Sequence, residues 1–149
     1  MERPKLITRR LESADFHKGF IELLAQLSTV GAMSQTQFDA QLAVVNANSD
    51  RHSVMVIEDA NKGRIIACAT LYIEPKFLRS CGKIGHIEDV VVSSGYRGLH
   101  LGLEIIETLK KLAKERGCYK VILNCSDKNV SFYSKLGFSR KENQMAVYF

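Results

Sequence analysis

The sequence contains no long apolar run, no internal repeat and no low-complexity stretch. No segment approaches the roughly 18 consecutive apolar residues that a membrane span needs, and Met1-Glu2-Arg3-Pro4 does not begin a signal-peptide core. The four cysteines form no CxxC pair and have no histidine-rich spacing, which argues against a zinc site and a secreted disulfide framework: Cys68, Cys81, Cys118 and Cys125. We therefore expect an intracellular protein with reduced cysteines, no metal and no membrane partner.

Composition favours a single folded domain. The chain has 149 residues, of which 46% are hydrophobic and 25% charged, values close to the globular average. The formal net charge is +5 and the isoelectric point about 9.1, but the basic residues are scattered and do not alternate with aromatic ones. A nucleic-acid partner is therefore not expected, and the basic excess suits an enzyme whose ligands carry phosphates.

The first third of the chain predicts one strand and two helices. Residues 6–11 indicate a strand, and Ser13 is the candidate N-cap of a helix with apolar residues three and four apart: Phe16, Phe20, Leu23, Leu24 and Leu27. Residues 34–37, Ser-Gln-Thr-Gln, have the form of a capping box. They are expected to open a second helix whose buried side carries Phe38, Leu42 and Val45.

The remaining pattern predicts most of a sheet. A hairpin is expected from residues 54–58 and 65–73 around the turn 59–63, followed by a strand at 83–92. A helix is expected over 99–116, a strand at 121–123, a short helix from an Asn129 cap to Leu136, and a last strand at 145–149. This order indicates an α/β (α+β) fold, a mixed sheet with helices on both faces. Ligands should then bind beyond the carboxyl ends of the strands, after Val92 and Leu123.

The segment after Val92 has the features of an anion site. A β-branched strand leads through a loop to Arg97-Gly98-Leu99-His100-Leu101-Gly102, which opens the long helix. Free N–H groups and the positive end of the helix dipole at such a terminus can hold an anion, and small residues let the backbone approach a pyrophosphate. The segment lacks the GxxxxGK[ST] pattern of nucleoside triphosphate loops.

These residues resemble the GCN5-related N-acetyltransferase (GNAT) superfamily. Its acetyl-CoA loop follows the pattern Arg or Gln, two residues, Gly, one residue, Gly or Ala, which falls here on Arg97, His100 and Gly102, with His100 in place of the usual glycine. The segment 129–138, Asn-Val-Ser-Phe-Tyr-Ser-Lys-Leu-Gly-Phe, is similar to a second family element, in which Asn129 and Tyr133 would face the cofactor.

Within the superfamily, the resemblance is closest to the glucosamine 6-phosphate N-acetyltransferases and covers almost the whole chain. It rests on residues 29–31, 85–90, 117–120 and 128–133. The resemblance implies transfer of the acetyl group from acetyl-CoA to the 2-amino group of glucosamine 6-phosphate, giving N-acetylglucosamine 6-phosphate for UDP-N-acetylglucosamine synthesis. It also implies a homodimer with a shared active site.

The resemblance assigns site residues one by one. The expected acetyl-CoA contacts are Val90, Val91, Val92, Arg97, Gly98, Leu99, His100, Leu101, Gly102, Leu103, Asn129, Tyr133, Ser134 and Lys135. The expected sugar phosphate contacts are Ser28, Lys76, Phe77, Leu78, Arg79, Glu88, Asp89, Val90, Tyr119, Lys120 and Asn124. Some relatives have an arginine near the C-terminus that helps bind the phosphate. This chain ends Met-Ala-Val-Tyr-Phe, so we expect phosphate binding to depend on Lys76, Arg79 and Lys120.

Each step of acyl transfer has a candidate group. Backbone N–H groups of residues 90–92 would polarise the thioester carbonyl, and Tyr133 would donate to the CoA sulfur. The backbone carbonyl of Asn124 would meet the substrate amine. Glu88 and Asp89 point to opposite faces of a regular strand, so they cannot form a dyad and would orient the ammonium and hydroxyls separately. No Cys-His arrangement is evident, which favours direct attack in a ternary complex.

Two other functions remain open. The alternative enzyme is another GNAT N-acetyltransferase acting on a small amine or peptide, which would not need Lys76, Arg79 and Lys120 together. The alternative from another class is a non-catalytic CoA-binding or nucleic-acid-associated module. The expected location is cytoplasmic. Arg10-Leu11 followed by His17-Lys18 weakly resembles an N-terminal peroxisome-type signal.

Overall fold

A five-stranded mixed sheet forms the centre of the molecule. The computed structural model describes residues 3–149; Met1 and Glu2, part of the segment considered for a signal peptide, lie outside the described residues. The spatial order follows the chain: β1 (Leu6–Arg10), β2 (His52–Asp59), β3 (Arg64–Pro75), β4 (Lys83–Val92) and β5 (Cys118–Leu123). Neighbouring strands are antiparallel except β4 and β5, which are parallel. The predicted mixed sheet is confirmed, and β4 has the predicted bounds.

Helices cover both faces of this sheet. They are α1 (Phe20–Ala25), α2 (Gln35–Ala47), the short turn α3 (Leu78–Cys81), α4 (Leu101–Glu115) and α5 (Val130–Lys135). The capping box that opens α2 is confirmed: the Gln37 N–H donates to Ser34 Oγ at 3.2 Å, and the Ser34 N–H donates to Gln37 Oε1 at 2.8 Å. None of the described helices is both long and apolar enough to cross a membrane.

Two apolar clusters attach the helices to the sheet. One lies under α4 and α5 and includes Ile66, Leu71, Ile87, Ile105 and Leu109, each no more than 2% exposed. The other packs α1 and α2 on the opposite face through Phe20, Leu23, Phe38, Val56 and Ile65. Each fully buried aliphatic side chain of this kind contributes about 1.5–3 kcal/mol. Because helices cover both faces of the sheet, a ligand can reach it at the ends and lateral edges of the strands.

The predicted first helix is interrupted. Residues Ser13–Lys18 form a 3-10 turn with Glu12, not Ser13, at the N-cap, and α1 begins only after Gly19, whose φ of 83° is left-handed. The prediction of one continuous helix capped by Ser13 was therefore wrong. The buried Asp15 carboxylate accepts a hydrogen bond from Arg9 at 2.7 Å. Ser13 Oγ, the predicted cap, instead donates to Asp39 at 2.6 Å.

Three other predictions differ from the structure, one in a boundary, one in a cap and one in a whole strand. Helix α4 starts at Leu101 instead of 99, because His100 has a left-handed φ of 58°. Asn129 occupies the N-cap of α5, but its side chain makes no capping hydrogen bond. The predicted strand at 145–149 is wrong for the single chain: this segment pairs with no described strand, and its apolar side chains are exposed. A strand needs a partner edge, and none of the described edges of this chain takes it.

Candidate active site

Strands β4 and β5 are paired along only part of β4. Their parallel register runs from Lys83 opposite Cys118 to Ile87 opposite Leu123, whereas β4 continues to Val92 beside β3. Among the described residues, the outer edge of residues 88–92 therefore has no neighbouring strand. This opening at the carboxyl ends of two parallel strands is where open sheets bind ligands.

A β-bulge interrupts β4 at the same place. Thr70 pairs with Glu88 and Cys68 with Val91, so Asp89 and Val90 together oppose a single residue of β3, and Asp89 has a left-handed φ of 52°. The expectation that Glu88 and Asp89 point to opposite faces assumed a regular strand, and the bulge breaks that alternation. Both residues are exposed, and neither carboxylate has a hydrogen bond or ion pair within the described chain. Bulges of this kind re-aim side chains at active sites.

Below the bulge lies a neutral thiol. Cys68 is 1% exposed, its Sγ lies 3.7 Å from the Asp89 carbonyl oxygen, and burial raises the pKa of the thiol to about 12. A thiol that holds its proton is a poor nucleophile. This cysteine therefore packs beneath the bulge and donates weakly to it.

The segment after β4 presents backbone groups to the opening. Gly98 and His100 are left-handed, with φ of 89° and 58°, and no side chain caps the N-terminus of α4. The N–H groups of its first turn therefore have no side-chain acceptor. A Cβ at Gly102 would lie 3.1 Å from the Phe132 ring, whereas one at Gly98 would meet nothing within 4 Å. Gly102 thus allows α4 to approach α5, and Gly98 leaves space beside the backbone.

Tyr133 combines a buried ring with an available hydroxyl. The residue is 8% exposed, and its ring packs edge-on against Phe132 and Phe138 at 5.0 and 5.9 Å. Its hydroxyl has no hydrogen-bond partner in the described chain, and no buried polar side-chain atom there lacks one, so the hydroxyl retains contact with solvent. Burial raises the pKa of Tyr133, and the nearby Cys125 adds to the effect. The hydroxyl therefore stays protonated at neutral pH and can donate.

A second group of predicted residues surrounds the start of β5. The backbone of Arg79, Ser80 and Cys81 is left-handed, and this turn places the Arg79 guanidinium 5.2 Å from the Tyr119 ring centroid. A cavity of about 600 Å³ is lined there by Leu78, Arg79, Tyr119, Lys120 and Lys141. Its three cations have no carboxylate among the lining residues, so the cavity suits an anion.

Two lysines differ from the sequence-based expectation. Lys141 was missed, because residue 141 lies far along the chain from Arg79 and Lys120 and no local motif marks it. Lys76 does not line the cavity. Its Nζ is 2.8 Å from Glu74 Oε1, and His86 Nε2 lies 3.2 Å from the other oxygen of the same carboxylate. Its charge is therefore already partly balanced.

The two groups lie at opposite ends of β4 and β5. Glu88 to Val92 form the end of β4, and Asn124 and the segments 97–103 and 129–135 follow the strands. Gln26, just after α1, accepts the Ser94 N–H at 3.0 Å, and Ser28 lies two residues further along the chain. Lys76 to Arg79, Tyr119 and Lys120 precede or begin the strands. Lys120 lies opposite Ile84, and Glu88 follows four residues later in β4, a step of roughly 13 Å. Within one chain, the backbones of the predicted sugar phosphate contacts therefore form two separate groups.

Comparisons with known proteins agree with this architecture. The sequence profile of the Acetyltransferase (GNAT) family matches residues 17–138. The chain is 49% identical over 141 residues to a glucosamine 6-phosphate N-acetyltransferase of Arabidopsis thaliana, covering 95% of each chain. It is 47% identical to glucosamine 6-phosphate N-acetyltransferase 1 of Dictyostelium discoideum, covering 94% of this chain and 88% of the relative. The crystal structure of the Arabidopsis thaliana enzyme superimposes with a TM-score of 0.96 at 48% identity, over 97% of this chain and 99% of that one. With more than half of its length matched, the chain belongs to the GNAT acetyltransferase family.

Proposed function

We propose that this chain transfers the acetyl group of acetyl-CoA to the 2-amino group of glucosamine 6-phosphate. The observation that carries the proposal is the 49% identity over 95% of both chains to a relative with that name. An opening between β4 and β5 and a cationic cavity supply two regions suited to the two phosphate-bearing ligands. We also propose that residues 1–149 act as one N-acetyltransferase domain, since both apolar clusters pack on one sheet.

The residues around the opening fit acetyl-CoA. The uncapped first turn of α4 and the left-handed Gly98 offer backbone N–H groups to a pyrophosphate, and Arg97 adds a positive charge. Leu99, Leu101 and Leu103 belong to the same segment, while Asn129, Ser134 and Lys135 flank Tyr133 on the other side. Acetyl-CoA supplies a thioester-activated acetyl group.

This chain's own groups then favour direct attack in a ternary complex. The bulge frees the outer edge of residues 90–92, whose N–H groups can stabilise negative charge on the acetyl oxygen. The protonated Tyr133 hydroxyl can donate to the departing sulfur. The exposed Glu88 and Asp89 carboxylates can orient the substrate's ammonium and hydroxyl groups, and the Asn124 carbonyl can accept from the amine. One proton of the ammonium leaves to solvent before attack, and the proton that the nitrogen loses on forming the amide balances the one that the CoA sulfur takes up.

The 6-phosphate is proposed to bind in the cationic cavity, with Lys141 added to the expected residues. Arg79 and Lys120 both flank Tyr119, at 5.2 and 5.8 Å from its ring centroid, and Lys141 lines the same cavity. Lys76 would have to leave Glu74 to contribute. Lys141 thus brings the number of cations that line this cavity to three.

The separation of the two regions supports a homodimer with shared sites. Lys120 lies opposite Ile84, four residues or roughly 13 Å before Glu88 along β4, which is a long span for one amino sugar phosphate. The chain also exposes apolar residues that have no partner here: Met145, Val147, Tyr148 and Phe149 are 74–116% exposed, and Ile122 and Tyr72 lie on an uncovered part of the sheet. A second copy is the occupant that we propose for this surface.

Thiol release from acetyl-CoA, measured over a panel of amino sugars with and without a 6-phosphate, tests the proposal. We expect glucosamine 6-phosphate to have the highest kcat/KM and unphosphorylated glucosamine to be a poor substrate. A higher kcat/KM with a peptide or another amine would favour the alternative GNAT activity. CoA binding without turnover on any amine would favour a non-catalytic module. The cytoplasmic location stays a prediction for imaging of the tagged protein.

A further inference from the structure

The loop between β4 and α4 is held at three points, all before the segment proposed to bind pyrophosphate. The Ser93 N–H donates to the Ile66 carbonyl at 2.8 Å, and the Ser94 N–H donates to Gln26 Oε1 at 3.0 Å. The Tyr96 hydroxyl donates to Asp59 Oδ2 at 2.7 Å. Within the described chain, no side-chain hydrogen bond or ion pair involves residues 97–100. Tyr96 is therefore the last fixed point before these four residues, and the buried Leu101 is the next.

Asp59, the last residue of β2, is almost completely buried. It is 1% exposed, although a buried carboxylate loses hydration and has to be compensated. Its Oδ1 accepts the Asn61 N–H at 3.1 Å, which is the bond that the turn requires. Its Oδ2 serves no part of the turn and instead accepts the Tyr96 hydroxyl. The turn alone therefore does not account for the position of this carboxylate.

The Tyr96 side chain is held on both sides. Its ring packs against the apolar cluster under α4, and Lys62 Nζ lies 5.2 Å from the ring centroid. A hydrogen bond from a hydroxyl to a charged acceptor is stronger than one between two neutral groups. Asp59, Tyr96 and Lys62 thus join the β2–β3 turn to the entrance of α4.

We propose that Asp59 is a positioning residue for acetyl-CoA, acting through Tyr96 on the segment 97–102. The inference rests on the proposed acetyl-CoA site. Residues 97–100 include two left-handed positions, Gly98 and His100, so their path depends on where the chain enters and leaves them. Fixing the Tyr96 end preorganises the N–H groups of this segment and lowers the entropy lost on binding.

Tyr96→Phe tests the inference because it deletes only the hydroxyl and leaves the ring packed. We expect the Kd for CoA, measured by calorimetry, and the KM for acetyl-CoA to rise about 3- to 30-fold, a part of the effect of losing one hydrogen bond to a carboxylate. The kcat at saturation and the KM for the amine should stay unchanged. Amide hydrogen exchange at residues 97–102 should become faster in the CoA-free protein. A purely structural role would lower thermal stability without this division between CoA affinity and kcat.

Two further variants keep the result interpretable. Ser13→Ala removes a comparable hydroxyl-to-carboxylate bond, the 2.6 Å bond to Asp39, and should leave CoA affinity unchanged. Asp59→Asn retains an acceptor oxygen without its charge, so it should weaken CoA binding less than Tyr96→Phe. In the double variant Asp59→Asn/Tyr96→Phe, the loss should not exceed that of Tyr96→Phe alone.

The outcomes separate this inference from the proposed function. Wild-type protein that does not bind CoA would refute the proposed site itself. If the wild type binds CoA and folded Tyr96→Phe binds it equally, only the role of Asp59 is refuted. A fall in kcat at an unchanged Kd would also refute it. If Tyr96→Phe does not fold, an unchanged CoA affinity and an unchanged exchange rate at residues 97–102 in Asp59→Asn would overturn the inference.

Discussion

Among the residues around the opening, Tyr133 is buried and packed, whereas Glu88 and Asp89 are exposed. The pKa of Tyr133 is raised because its ring is buried, while its hydroxyl remains without a partner in the described chain. Glu88 and Asp89 are exposed, and the bulge determines their direction more than their own contacts do. Tyr133 is therefore the residue whose role can be tested by removing one atom.

Tyr133→Phe should lower kcat by about 10- to 1000-fold, because it removes one donor aimed at charge that develops only during the reaction. The affinity for CoA should stay unchanged, since the ring contacts with Phe132 and Phe138 remain. Thiol release measures the first quantity and calorimetry the second. A kcat equal to that of the wild type would exclude Tyr133 as the donor.

Lys141, which lines the proposed phosphate cavity, and Lys76, which does not, offer a test variant and its control. Lys141→Ala should lower kcat/KM for glucosamine 6-phosphate by about 10- to 150-fold, the effect of losing one charge-assisted contact. Lys76→Ala should change it by about threefold or less, because Lys76 is already paired with the partly exposed Glu74. Activity on unphosphorylated glucosamine should respond to neither variant. A larger effect at Lys76 than at Lys141 would contradict this assignment.

At the scale of elements, an ion network connects β1, the first 3-10 turn and β2. Arg9 lies 2.7 Å from Asp15 and 2.6 Å from Glu58, and Lys18 lies 2.7 Å from Glu58. Hydrogen bonds from Lys18 and then Arg9 hold the pKa of the Glu58 carboxyl below its ordinary value of 4.5. Because the folded-state pKa is lower than the unfolded one, ionised Glu58 stabilises the fold above pH 4.5, and this stabilisation is lost as the pH falls through the folded pKa.

Glu58→Gln should therefore destabilise the protein at pH 7 by about 1–3 kcal/mol, because it leaves Lys18 without its anionic partner and Arg9 with the Asp15 pair but without the Glu58 one. The difference from the wild type should shrink as the pH falls below 4.5. Urea denaturation at several pH values measures both effects. Glu107→Gln, which removes an exposed pair with Lys110, is the control and should change stability by about 0.5 kcal/mol or less. A pH-independent difference for Glu58→Gln would contradict the argument.

Elements with local signals could be predicted from the sequence, and elements that depend on distant contacts could not. The capping box of α2 lies within four residues, and the hairpin and β4 follow from β-branched runs between turns. The 3-10 turn before Gly19 contains Asp15, which pairs with Arg9 of β1, and the hydrogen bond from Tyr96 to Asp59 joins residues 37 positions apart. The β-propensity of residues 145–149 does not indicate which sheet edge they join. The site residues were predicted largely through family resemblance, which could not reveal Lys141.

At the scale of the whole molecule, the main consequence is the separation of the two ligand regions. The residues proposed to face the amine lie at or after the ends of β4 and β5, whereas the cationic cavity lies near the beginnings of these strands. Because β4 and β5 are parallel, the first residues of both strands lie at one end of the strands and the last residues at the other. A loop movement alone therefore does not change the distance between the backbones of Lys120 and Glu88. A second copy, placed against the uncovered sheet face and the exposed C-terminal segment, is the simplest way to complete the site.

A heterodimer with one defect in each chain tests this shared site. If each site combines the acetyl-transfer region of one chain with the phosphate cavity of the other, a Tyr133→Phe chain paired with a Lys120→Ala chain has one site with both defects and one intact site. Co-expression with two different tags and tandem purification yields this heterodimer, which should have about half the wild-type kcat per dimer by symmetry. The two parent homodimers, purified in the same way, are the controls and should both be impaired with glucosamine 6-phosphate. If each chain holds a complete site, every site in the heterodimer carries one defect, and its activity will not exceed the mean of the two homodimers.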